Sequence, residues 1–126
     1  MTDTLPSFRW APLKPDADGW YDLRVVGTRS GPDADLKQWA VRVSRAGDPV
    51  TLVREPDNPF DAHAIAVVDQ RGRMMGYIKA KRAKMLAPAL DAGRKLEAQV
   101  AIDGDIDAYL AGLRISIREH GAEGDL

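Results

Sequence analysis

The chain has 126 residues, 44% of them apolar and 29% charged, with no cysteine and a formal net charge of −1. That composition describes one ordinary globular domain and excludes wholesale disorder, a disulfide framework, a thiolate metal site and a generic polybasic grip on nucleic acid. No apolar run approaches the roughly 18–20 residues of a membrane-spanning helix, and Met1–Trp10 has no apolar core of a secretory signal, so a cytoplasmic protein is expected.

The first twenty residues hold Pro6, Pro12, Pro15 and Gly19 among scattered aromatics, and read as an extended arm docked by Phe8, Trp10 or Trp20. Tyr21–Gly27 reads as the first strand. In Asp33–Gly47, Trp39, Val41 and Val43 alternate like a strand, but Leu36, Trp39, Ala40 and Val43 also fit helical spacing. Asp33 or Asp35 as a cap and Gly47 as a stop favour the helix. Pro49–Glu55 is the next strand, and Pro56–Asp61 is dense in turn formers. His63–Asp69 and Arg73–Ile78 then make a hairpin about Gln70-Arg71-Gly72, and Gly76 inside the second arm marks a bulge or a close backbone approach. Lys79–Ala92 is helical from the spacing of Ala83, Leu86, Ala87 and Leu90, is kinked or split by Pro88, and ends at Gly93. Leu96–Ile102 and Leu113–Ile117 are the last strands. Short strands with two helices inserted predict a mainly β fold: a small OB-like or SH3-like barrel with one or two flanking α-helices.

Catalytic patterns are missing. The two histidines, His63 and His120, belong to no HExxH, GxSxG or P-loop pattern. Asp103, Asp105 and Asp107 imitate the opening of a calcium loop, but Ala108 and Arg114 stand where its glycine and glutamate are required. No catalytic residue, metal or cofactor is therefore expected. Charge is unevenly spread instead. Gln70–Leu90 holds Arg71, Arg73, Lys79, Lys81, Arg82 and Lys84 without an acid, whereas the end of the chain is acidic. The basic stretch is either a solvated face or a phosphate track.

The most informative run is Arg54–Val67, REPDNPFDAHAIAV. A proline-stiffened turn between strands accounts for Pro56, Asn58 and Pro59, but not for Phe60 at its tip beside Asp61. An aromatic on a rigid loop next to a carboxylate makes a stacking platform with an adjacent hydrogen-bond acceptor, a combination suited to single-stranded nucleic acid. This run closely resembles the signature of the HIRAN domain, and Met75-Gly76-Tyr77-Ile78 resembles its continuation. Arg24-Val25-Val26-Gly27, Gly47–Val53 and Leu86–Gly93 are similar as well, so the resemblance covers about Tyr21–Ile117.

The resemblance implies an OB-related β-barrel with flanking helices and a role in DNA processing. In helicase-fused members such a domain captures the 3′ end of single-stranded DNA: the terminal base stacks on aromatics and the free hydroxyl meets the signature aspartate. Carried over by motif, Asn58, Phe60 and Asp61 match the signature's asparagine, aromatic and aspartate. Arg29 matches a phosphate-contacting arginine, and Tyr109 a late aromatic. Two positions depart from the 3′-end binders, where a tyrosine and a lysine are replaced by Ser30 and Ala80, though Lys79 and Lys81 flank the latter.

The resulting expectation is a non-catalytic, monomeric module with an arm over residues 1–20, a barrel over 21–118 and a flexible tail over 119–126. Its partner is single-stranded DNA or a DNA 3′ end, in repair or replication-fork processing. Arg29, Asn58, Phe60, Asp61, Arg71, Arg73, Lys79, Lys81 and Tyr109 would form its binding set, and a helicase or other DNA-processing enzyme would act in trans. The alternative is a protein-interaction adaptor that keeps the fold without the DNA pocket, anchored by Trp10, Trp20 or Trp39.

Overall fold

The computed structural model of the chain describes residues 13–104 and 112–119. Six strands and two helices follow one another as β1 (Tyr21–Val26), α1 (Ala34–Val43), β2 (Val50–Arg54), β3 (Ile65–Asp69), β4 (Met74–Ile78), α2 (Ala80–Asp91), β5 (Leu96–Val100) and β6 (Arg114–Glu119). All pairings are antiparallel, in the order β2-β3-β4-β1-β6-β5. The sheet curls until its two edges meet. Pro49 bridges Gln99, Gly47 N–H donates to Val100 O at 2.8 Å, and Val100 N–H donates to Asp48 O at 2.8 Å. The result is a nearly closed six-stranded barrel, in which few backbone groups are left on an open edge.

Alternation along the strands fills its interior. Tyr21, Leu23 and Val25 point inward from β1, opposite Ile115 and Ile117 of β6, while Asp22 and Arg114 form an ion pair outside at 2.7 Å. Ile65, Val67, Met75, Val100 and Leu113 complete the core, and α2 closes over it with Ala83, Leu86 and Ala87. β3 is buried along almost its whole length.

β1 serves two neighbours. Tyr21–Arg24 pair with β6, whereas only Val25 and Val26 pair with β4. Where β1 crosses β4 the backbones come close: a Cβ built on Gly76 would lie 2.5 Å from Val26 O and 2.9 Å from Val25 Cγ1. Gly76 also has φ +155°, and the β3–β4 register shifts between Val67 and Val68. The glycine therefore marks both the irregularity and the close approach expected of it.

Several local expectations change. α1 forms, but it ends at Val43 rather than Gly47. Asp33 sits at its N-cap without a capping hydrogen bond, its carboxylate lying 3.3 Å from Lys37 Nζ instead. The buried face of α1 is Lys37, Ala40 and Val41; Leu36, Trp39 and Val43 are exposed. Pro88 does not split α2. It lies in the last turn, where its ring costs one interior hydrogen bond, and the helix ends in a Schellman motif with Arg94 N–H on Ala89 O and Gly93 N–H on Leu90 O. His63 precedes β3 and is exposed, so it is a loop residue and not part of an apolar strand. Trp20 is half-buried beneath the guanidinium of Arg118, 4.1 Å from its ring centre. Phe8 and Trp10 lie outside the described residues, and so does the arm's expected docking through them.

Gly76→Ala is expected to destabilise the domain by about 1–3 kcal/mol, the usual range for overpacking or forced backbone strain. Gly72→Ala provides the contrast. At φ +79° with open space around it, it carries backbone strain alone and should cost about 1 kcal/mol. Urea denaturation midpoints of the two variants check the ordering.

Candidate nucleic-acid interface

The signature loop is built by its own side chains. Asn58 Oδ1 accepts the N–H groups of Phe60 (2.9 Å) and Asp61 (3.1 Å), and Asn58 Nδ2 donates to Glu55 Oε1 at 3.0 Å. Asp61 Oδ1 accepts His63 N–H at 2.8 Å. Asn and Asp side chains close local turns in this way, which is why a run rich in them folds without regular structure. Arg54 fastens the far side. Its guanidinium donates to Ala64 O (2.9 Å) and Ala62 O (3.0 Å) and pairs with both oxygens of Asp91 on α2. Hydrogen bonding to Arg54 holds the exposed Asp91 carboxyl below the usual carboxylate range, so this tie persists at neutral pH and is lost as the pH falls through that lowered value.

The effect of this scaffold is to hold Phe60 out of the protein. Its ring is 95% exposed, on a loop fixed at both ends, behind Pro59. The loop lines an open groove of about 910 Å³. Val26, Gly31, Pro32, Lys37 of α1 and Tyr77 and Ile78 of β4 line it as well. Tyr77 donates its hydroxyl to Glu55 Oε1 at 3.0 Å, joining the barrel to the loop. Desolvation raises the Tyr77 pKa above its ordinary value, with the hydrogen bond to Glu55 and the charges of Glu55 and Asp33 acting in the same direction.

Charge in the groove is largely negative. Asp33, Glu55, Asp57 and Asp61 line it against two cations, Lys37 and Arg54, both already engaged. Lys37 is 6% exposed and donates to Gly27 O (3.1 Å) and Ser30 O (2.9 Å), pinning the β1–α1 loop onto α1. Asp61 is half-buried, and among the described residues its Oδ2 accepts no hydrogen bond.

The residues expected to bind nucleic acid fall into separate groups. Phe60 and Asp61 stand together at the groove. Asn58 lies beneath them, with both ends of its amide holding the loop. Lys79 and Lys81 are exposed on either side of Ala80, which lines the same groove. Exposed Arg29 belongs to an adjoining hollow that shares Val26 with the groove. Arg71 and Arg73 do not join them. β3 carries the chain roughly 15 Å from the signature loop before the β3–β4 turn. There Arg73 Nε pairs with Asp69 Oδ2 at 2.7 Å, and both arginines line a different hollow, with Trp39. The continuous track beside Phe60 suggested by the basic stretch is thus divided by the hairpin. Tyr109 lies outside the described residues. Tyr77 and Lys37 were not foreseen as parts of the site, because nothing in their spacing marks the loops they hold.

The family model for the HIRAN domain matches residues 18–117. The chain belongs to the HIRAN domain family. It is 33% identical over 92 residues to the mouse helicase-like transcription factor, covering 69% of this chain and 9% of that protein. It is 35% identical over 75 residues to the rabbit protein, covering 60% and 7%. It therefore spans less than a tenth of the length of these curated relatives. Among solved structures, a protein from Lactobacillus plantarum superposes with a TM-score of 0.64 at 28% identity, over 79% of this chain and 92% of that one. The HIRAN domain of human HLTF superposes at 0.58 and 24%, over 84% and 81%, and shares the fold. The HLTF HIRAN domain in its DNA-bound conformation superposes at 0.56 and 23%, over 79% and 73%.

Two measurements test how the HIRAN loop is built. Asn58→Ala should lower stability by about 1–2 kcal/mol in urea denaturation, as loss of a capping side chain does. For Tyr77, a raised folded pKa means its stabilisation is present below about pH 10 and is lost as the pH rises through the higher folded value. The alkaline absorbance difference between wild type and Tyr77→Phe should therefore show a midpoint above about 10, moving down in a Glu55→Gln background.

Proposed function

We propose that this HIRAN domain is a non-catalytic nucleic-acid-binding module that takes the end of a DNA single strand at the signature groove. The observation that carries the reading is Phe60: an almost fully exposed ring, rigidly held at the mouth of a groove and adjacent to the half-buried Asp61. A large ring held out in water on an ordered loop offers a face on which a base can stack. One HIRAN relative, that of HLTF, has a DNA-bound conformation, which supports the same class of ligand here.

The charge distribution favours an end over an internal segment. A groove lined by four carboxylates, its two cations already engaged, repels a phosphate but accepts a base and a hydroxyl group. Phe60 would stack the terminal base, and Asp61 Oδ2 would accept the 3′-hydroxyl. Lys79, Lys81 and Arg29 at the rim would take the phosphates, which give affinity without sequence preference. Ser30 offers no second aromatic face, so stacking here is one-sided. Such a module would present DNA ends to a helicase or other DNA-processing enzyme acting in trans.

The same four carboxylates favour one other reading, an adaptor that seats a cationic peptide in the groove. Retention on single-stranded DNA resin at low salt separates the two, since only the first reading predicts it.

The deciding experiment is fluorescence anisotropy with 5′-labelled DNA single strands ending in a 3′-hydroxyl or a 3′-phosphate. Tighter binding of the hydroxyl end is expected, and Phe60→Ala should weaken it by about 1–3 kcal/mol without unfolding the domain. Equal affinity for the two ends would remove the end-capture reading, and an unaffected Phe60→Ala variant would remove the stacking role.

A further inference from the structure

The histidine of the signature run is accounted for neither by the construction of the loop nor by the groove. His63 is exposed, belongs to no strand and does not line the groove. It nevertheless stands against the aspartate on which the end-binding reading relies. Its backbone N–H donates to Asp61 Oδ1 at 2.8 Å, and its imidazole Nδ1 lies 3.7 Å from the same oxygen. That second distance is too long for a hydrogen bond and within range of an ion pair once the ring carries a proton.

Charged groups reach His63 from three elements. Asp61 is on its own loop. Asp91 of α2 has its carboxyl held low by the Arg54 hydrogen bond first, and the charges of Arg54 and His63 act in the same direction. Arg54 of β2 pairs with Asp91 and grips the carbonyl oxygens of Ala62 and Ala64 on either side of the histidine. Because Arg54 and Asp91 offset one another, Asp61 is the carboxylate whose field a charge on the imidazole changes most. Of the other groove acids, Asp33 pairs with Lys37, Glu55 accepts from Tyr77 and Asn58, and Asp57 is exposed.

We propose that His63 is a specificity-determining residue of the signature groove, whose charge sets how strictly the groove rejects a terminal phosphate. This inference rests on the end-binding reading above and deepens it. With the ring neutral, Asp61 presents its full charge, accepts a 3′-hydroxyl and repels a 3′-phosphate. With the ring protonated, a cation stands 3.7 Å from Asp61 Oδ1. Oδ2 still accepts the hydroxyl, while the repulsion felt by a phosphate falls. Imidazole is the side chain whose ordinary charge change lies between about pH 5 and 8, a range in which ordinary carboxylates stay ionised. The module therefore selects hydroxyl ends near neutral pH and admits 3′-phosphate ends as the pH falls.

The test is anisotropy with 5′-labelled DNA single strands ending in a 3′-hydroxyl or a 3′-phosphate, read at about pH 7.5 and about pH 5.5 for wild type, His63→Asn and His63→Lys. All three proteins keep the backbone donor to Asp61, and all three keep His120, the other histidine of the chain. A terminal phosphate changes charge by itself at about pH 6, and His63→Asn reads that part alone. Beyond it, the wild-type preference for the hydroxyl end should narrow by on the order of fivefold at the lower pH, the effect of one added charge at a partly screened distance. His63→Lys should show the narrowed preference already at the higher pH. If wild type prefers the hydroxyl end but narrows no more than His63→Asn, the role of His63 is overturned and the end-binding reading stands. A preference in His63→Lys as wide as that of wild type at the higher pH overturns the role as well. If wild type shows no preference at the higher pH, both readings fall.

Discussion

The structure depends on the crossing of β1 over β4 at Gly76. A methyl group there would stand 2.5 Å from the Val26 carbonyl oxygen, inside van der Waals contact. Without a side chain at that point, β1 can leave its pairing with β6 and pick up β4 through Val25 and Val26. That switch lets one sheet bend round into a barrel. It also places Val26, Tyr77 and Ile78 side by side as part of the groove that the signature loop overhangs. Core packing then follows from ordinary alternation, with apolar residues inside and ion pairs such as Asp22–Arg114 outside.

Most of the polar signature residues act on the loop rather than facing outward. Arg54 and Asn58 saturate backbone groups, and Glu55 accepts from both Tyr77 and Asn58. Unmade hydrogen bonds in a half-buried turn are costly, so these side chains are held by structure before any ligand arrives. Phe60, Asp57 and one oxygen of Asp61 are left facing the groove. Preorganisation of this kind lowers the ordering cost of binding, because an exposed ring on a fixed loop loses little freedom when a base stacks on it.

Net charge hides an internal separation. Four carboxylates line the signature groove, Lys79 and Lys81 flank the groove residue Ala80, and Arg29 lies in an adjoining hollow. A total near zero therefore says little about the charge of one groove, since exposed charges act mainly within about 8–10 Å in physiological salt. Lys37 is a clamp between that groove and α1. It fixes the β1–α1 loop on the buried side of α1, whose other side leaves Trp39 exposed.

Much was determined by the sequence itself. Strand positions followed from alternation, the second helix from the spacing of Ala83, Leu86 and Ala87, its end from Gly93, and the close approach from Gly76. The family followed from Arg54–Val67, because a loop closed by its own Asn and Asp side chains is encoded locally. Tertiary structure decided what depends on residues far apart in the chain. The face that α1 buries carries Lys37 beside Ala40 and Val41, and Lys37 reaches Gly27 and Ser30, a partnership that helical spacing cannot register; of the spaced residues Leu36, Trp39, Ala40 and Val43, only Ala40 is buried. The basic stretch was divided because a five-residue strand carries its two arginines away from Phe60 while the return strand brings Lys79 and Lys81 back. The groove itself is assembled from β1, α1, the signature loop, β4 and α2, and only closure of the barrel brings those five segments together.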